Sequence, residues 1–339
     1  MRLIERIEKA ENLFRIGEQI FVATPTYIID LASGRSVDIN PLNGWHSGNF
    51  FYKMLPDKVS IYDTSFNQRD FLYKDVEGVV VLDTYNIILF VYKGIERQYY
   101  ITGNQVTEKK GPWWGHFLNK DYQFHYDENV SGSAKHFRCS NLLDTQTYWE
   151  YECLSGEHII KNDFYLYNDM LLFLVTKPRE RNDVANSNYI IVLDLNTGKE
   201  VRRLYTRGFN NLFDPVRGWF ITIYADTQLH GEQKWYEIID VNTGGTFFGG
   251  LNVEEPLYWV SPAVASLSDN KVYFADRSSR PSELIDTVPR IGCFNIETRK
   301  VEVCVPIPEA DSLSINQILY NKGLWYLRTG LNEVLVFEE

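Results

Sequence analysis

"YIIVLDLNTGKEVRRL", residues 189–204, is an apolar run ending in Asp194, a short polar turn and a half-apolar run. Residues 235–250, "WYEIIDVNTGGTFFGG", write the same pattern again. In the turn, Asn196 and Thr197 suit the central positions of a type I turn, and Gly198 the left-handed position after it, where a Cβ would clash. Asp194 is placed to accept the backbone N–H groups of that turn. The stretch predicts a tight hairpin and carries no catalytic signature.

Besides 188–204 and 234–248, two further stretches obey the template: "TYIIDLASGRSVDI" (26–39) and "RIGCFNIETRKVEVCV" (290–305). Looser copies stand at 59–73, 98–109 and 137–152, and "LNEVLVFEE" (331–339) supplies a first strand without a second. Between copies lie two more strand-like segments, such as "NLFDPVRG" and "WFITIYADT". Four strands per unit make a blade, and a repeat of about 42 residues is the length of a propeller blade. The expected fold is therefore all-β: a single β-propeller domain over residues 1–339 with eight four-stranded blades. Seven blades is the alternative, because the second and third units are short and irregular. "RLIERI" near the N-terminus alternates as a strand does, which would let it complete the last blade and close the ring; an amphipathic helix over 2–14 competes with that reading.

Composition points the same way. Of 339 residues 15% are aromatic, and aromatic side chains favour half-buried pleated surfaces. The net charge of −11 argues against a nucleic-acid backbone binder, which gains affinity through Lys and Arg on phosphates. No apolar stretch reaches the ~20 residues of a spanning helix, and "MRLIERIEKAENLF" lacks the apolar core of an export signal. A cytoplasmic protein without membrane contact is expected. Cys139 and Cys153 flank one predicted turn and Cys293 and Cys304 another, so each pair is either opposed or diagonal across a hairpin, as packed thiols or as a cross-strand bridge.

These units resemble those of the WD40-like and quinoprotein-like (PQQ-like) β-propeller superfamily, whose repeats often carry an Asp-x-x-Thr-Gly-Lys turn. Asp194 to Lys199 match it, and Asp30 to Arg35 and Asp240 to Gly244 match in part. Quinone-binding members usually place a Trp soon after that turn to dock blade on blade; here Val201 and Leu204 follow it. The resemblance implies the fold without the quinone, and no cofactor is expected.

No nucleotide-binding, metalloprotease, nucleophile-elbow or calcium-loop string occurs. His116, His125 and His136 fall in one unit on what read as neighbouring strands, where imidazoles could share a metal; the bland reading is three satisfied histidines. In "GPWWGHF" (111–117), Trp113 and Trp114 are neighbours, so on a strand they point to opposite faces, one to pack and one free to anchor a partner. The connections between second and third strands of the fourth to seventh units are long, and two carry Arg179, Arg181, Arg277 and Arg280. Long loops on a rigid scaffold are where binding concentrates. The expected function is a non-enzymatic protein-binding propeller that uses one loop-rich face, an immunity- or antitoxin-type protein neutralising a toxin being its sharpest form. The alternative is a propeller hydrolase or lyase with a central-channel site, metal-dependent if the histidines converge.

Overall fold

The structure is a computed structural model that describes residues 1–39, 44–92, 96–109, 116–118, 121–128, 134–178, 187–208, 211–226, 233–251, 257, 259–261, 264–276, 288–310 and 314–339. Among them strands follow one another from end to end, with one turn of 3-10 helix at Pro308–Ala310 and no α-helix. The strands pair antiparallel in successive four-stranded meanders, numbered here as sheets in chain order. The first runs from Asn12–Ile16 to Ser36–Asp38, the second from Gly44–Ser47 to Gln68–Leu72, and the third from Val76–Val81 to Gln105–Lys109. The fourth runs from His116–Leu118 to Thr147–Glu152 and the fifth from His158–Tyr167 to Glu200–Thr206, joined by one pairing of Ala134 with Ile159. The sixth, Leu212–Asp214 to Thr246–Gly250, and the seventh, Ser266–Ser268 to Lys300–Pro306, are bridged by the short strand Trp259–Val260. The last holds Ile315–Asn321, Leu324–Thr329 and Val334–Glu338, with Arg2–Ile7 antiparallel on Val334–Glu338. The N-terminal segment is thus a strand, not a helix. Leu3 opposes Phe337, and Arg2 and Glu338 form a 2.6 Å ion pair at its start.

The chain divides into two compact units, Val37–Thr206 and Met1–Ser36 with Arg207–Glu339. The second to fifth sheets make up the former; the latter holds the sixth, seventh and last sheets and all but the end of the first.

The turn that opened the sequence is built as its residues require. Asp194 Oδ1 accepts from the Asn196 and Thr197 amides at 3.1 and 2.8 Å and from the Thr197 hydroxyl at 2.8 Å. Gly198 then takes φ +67° and donates its amide to the Asp194 carbonyl. Asp240 with Gly244, and Asp30 with Gly34, repeat the arrangement. At Asn295 the side-chain amide oxygen does the work of the carboxylate, and Arg299 tolerates the left-handed position at φ +57°. A docking tryptophan is present too, one sheet earlier than the sequence directs attention. Trp149, from the outer strand of the fourth sheet, donates Nε1 to the Leu195 carbonyl at 2.7 Å and lies flat against Gly198.

Alternation along each strand sends apolar side chains into the spaces between sheets. Phe124, Phe137, Trp149, Phe164 and Phe173 fill the space between the fourth and fifth sheets, with Phe137 stacked on Phe124 and Phe164. Val59, Ile61, Ile87 and Leu89 do so between the second and third, and Ile221, Ile223, Val272 and Phe274 between the sixth and seventh. Tyr273, Trp325 and Leu335 join the seventh to the last, and Leu13, Val22 and Val334 the last to the first. Each such side chain contributes about 1.5–3 kcal/mol by leaving water. All four thiols are free. Cys139 opposes Trp149 rather than Cys153, and Cys293 lies diagonal to Cys304, which opposes Gly292. Burial pushes the Cys139 and Cys153 thiols up to about 12, so they pack as small apolar groups.

Candidate functional site

The connections between second and third strands divide the sheets into two classes. In the first, second, third and last sheets they span residues 24–26, 55–57, 93–95 and 330–333. In the fifth to seventh they span 178–186, 227–232 and 277–289, as the sequence predicts, whereas that of the fourth, 129–133, is within ordinary hairpin length and shorter than the sequence suggests. Arg179, Arg181, Arg277 and Arg280 on these loops, and Trp113 and Trp114 ahead of the fourth sheet, lie outside the described residues. What is described is how the longest loop is held at its base. Asp276 and Arg290 are register partners at the ends of Lys271–Asp276 and Arg290–Asn295. Both are buried, and the Arg290 guanidinium closes on Asp276 Oδ2 through Nε at 2.9 Å and through Nη2. A charge taken out of water here is matched by two N–H donors of one guanidinium converging on a single carboxylate oxygen, which ties the two stems together.

The second polar concentration was not legible in the sequence. Gln98 and Lys109 of the third sheet are buried and polar, as are Gln123, His125 and Ser140 of the fourth, where Arg138 and, at the adjoining turn, Asp144 join them; the charges of Asp144 and Arg138 reach Lys109. Lys109 is 4% exposed and donates to Gln98 Oε1 at 3.2 Å. Burial pulls its ammonium down to about 8, with Asp144 working to raise it and Arg138 to lower it. His125, equally buried, has its Nε2 3.5 Å from Asp144 Oδ1 and 3.3 Å from the Ser140 hydroxyl, with the Gln123 amide against its ring. Arg138 braces the same carboxylate, Nη1 at 3.1 Å from Oδ1 and Nη2 at 3.3 Å from Oδ2. In sequence Lys109 is one more charge on a polar strand, "QVTEK", whose four preceding residues are exposed.

Of the three histidines, only the backbone of His116 is described, paired opposite His125. His125 opposes Arg138, while His136 lies farther along that strand with Nε2 3.5 Å from Glu150. The two described imidazoles therefore each answer to a different carboxylate. Among the described residues no three His, Cys, Asp or Glu side chains stand close enough to hold a metal ion, and no helix is long and apolar enough to cross a membrane.

No protein-family model matches the chain, and no curated protein matches its sequence. Solved structures do match its backbone. The computationally designed Ika8 protein superposes with TM-score 0.54 at 10% identity, over 99% of this chain and 98% of that one. The Dos1 propeller gives 0.52 at 8% identity over 99% and 95%, and a europium-containing methanol dehydrogenase 0.52 at 10% over 100% and 93%. At such identities the likeness concerns the fold alone. Successive four-stranded antiparallel sheets, the repeated Asp-capped turn and these neighbours together make the chain a β-propeller.

Proposed function

We propose that this protein is a non-enzymatic protein-binding propeller of eight blades in one domain, engaging one partner through the loops between its second and third strands. One observation carries the reading: those connections span 178–186, 227–232 and 277–289 in three consecutive sheets, the fifth to seventh, and stay within ordinary hairpin length in the others. Hairpin geometry alone needs two to five residues or so, and length beyond that need is where a rigid scaffold places recognition. Arg179 and Arg181 on one of these connections, and Arg277 and Arg280 on another, are the candidate contacts with that partner. The strand Arg2–Ile7 on Val334–Glu338 supports the closed eight-bladed ring. The net charge of −11 favours a basic partner, and a cytoplasmic immunity- or antitoxin-type protein that occupies the cleft of a toxin is the sharpest form of the proposal.

The test pairs two measurements. The full chain, and a variant with residues 179–186 and 277–287 shortened to Gly-Ser turns, are used to capture partners from the source cell. A single stoichiometric protein held by the first and lost by the second, with unchanged circular dichroism, is the expected result. A partner set indifferent to the loops, or none, overturns it. For the sharper form, the product of the neighbouring open reading frame should be toxic alone and harmless when co-expressed with this chain.

A further inference from the structure

A groove on the second and third sheets points to a second binding surface, in sheets whose own connections are short. Its cavity, of ≈ 290 Å3, is lined by Arg69, Phe71 and Leu72 of the outer strand Gln68–Leu72 and by Ile101, Asn104 and Val106 of the hairpin beside it. The apolar part is open to solvent: Leu72 is 83% and Val106 52% exposed. Single exposed apolar residues are ordinary, but two beside a concave site are not.

The polar part holds the Arg69 guanidinium together with Asp70 and Asn104. Arg69 lies over the Tyr85 ring at 4.2 Å, with Phe71 at 5.3 Å, so its plane is held by stacking. The carboxylates nearest to it are already engaged. Asp70 takes the Lys58 ammonium at 2.6 Å, the Ser60 hydroxyl at 2.7 Å and the Gln68 amide at 2.7 Å, and these pull it down to about 2. Asp83 takes the amides of Tyr85 and Asn86 and the Asn86 side chain. Among the described residues the Arg69 side chain forms no hydrogen bond or ion pair and reaches Asp83 only through its field, so a fork of donors with a fixed plane borders the groove.

We propose that this groove binds an acidic, aliphatic segment of a protein partner, whose carboxylate is taken bidentately by Arg69 while its aliphatic side chain lies between Leu72 and Val106. A planar guanidinium matches a carboxylate with two parallel hydrogen bonds. Because stacking has already fixed its orientation, little side-chain freedom is lost on binding. The site stands apart from the loop surface and does not depend on it.

The probe is a fluorescein-labelled hexapeptide of alternating leucine and glutamate, followed by anisotropy on the full chain. The glutamate peptide should bind, and its glutamine counterpart should bind about tenfold or more weakly. Arg69→Ala should lose a similar factor, Arg69→Lys part of it, and Val106→Asp should abolish binding, while the loop-shortened variant binds as the wild type does. Arg69→Ala should lower the unfolding midpoint only slightly, since a surface stacking contact is lost but no hydrogen bond. Equal affinity of wild type and Arg69→Ala, or of the two peptides, would overturn the assignment. So would a dimer in sedimentation that Arg69→Ala dissolves, because the occupant would then be a second copy of this chain.

Discussion

Gly198 is a glycine for two reasons, and each predicts the same direction of change. Its φ of +67° is costly for any residue with a Cβ, and a Cβ built there would sit 2.5 Å from the Trp149 ring. Gly198→Ala should therefore lower stability by about 2–4 kcal/mol, read from urea midpoints, with the Trp149 fluorescence shifted toward that of exposed indole. Lys109 makes a different prediction, in pH. Its pKa falls from 10.5 to about 8 on folding, so between those values the unfolded chain binds more protons and stability rises with pH. Below about pH 8 the penalty is present in full. Lys109→Met should thus be more stable than wild type at pH 7, by about 2–3 kcal/mol, and the advantage should shrink as pH climbs above 8. Cys139 and Cys153, held at about 12 against a usual 9.0, act in the opposite sense above pH 9, so the informative quantity is the difference between variant and wild type.

At the scale of the element, the hairpins differ in what holds them. The outer hairpins close through local polar turns, whereas the long connection 277–289 rests on the buried pair of Asp276 and Arg290 at its stems. Arg290→Met should cost about 3–5 kcal/mol, because it leaves a carboxylate buried without its counter-charge. Adding Asp276→Leu should return most of that stability, and chemical denaturation of the two variants separates a missing charge pair from mere loss of packing. A double variant no more stable than Arg290→Met would refute this account. The outer hairpins were legible because an Asp or Asn, a small polar residue and a left-handed position four residues on are a local code. The pair at the loop base was not, because Asp276 and Arg290 are separated by a loop whose length hides their register.

For the whole molecule the decisive feature is the strand Arg2–Ile7. It covers the edge of Val334–Glu338, Leu3 packs against the cluster of Trp325 and Phe337, and Ile7 against that of Leu13 and Val336. Removal of residues 1–8 should lower the thermal midpoint by several degrees and expose an unpaired edge, which size-exclusion chromatography would register as self-association. A monomer with unchanged midpoint would show that the strand contributes nothing to the fold. The alternation in "RLIERI" suggested this role, yet the same letters also fit a helix. Pairing with a strand more than three hundred residues away is what decides between them.

The all-β class, the spacing of the hairpins, the chemistry of their turns and the long connections of the fifth to seventh sheets are written in the sequence. All of these are local: they depend on alternation, on the reach of one side chain to the next few amides, and on the left-handed position that Gly198 or Gly244 can occupy. What the tertiary structure added is that Trp149 docks on the turn of the following sheet, that Lys109 is buried within reach of the Asp144 and Arg138 charges, that the cysteines are not opposed, and that the Arg69 side chain forms no ion pair. Each of these depends on register and on which faces meet across two sheets. A shift of one residue would turn every side chain to the other face, and no neighbour in the sequence records that choice.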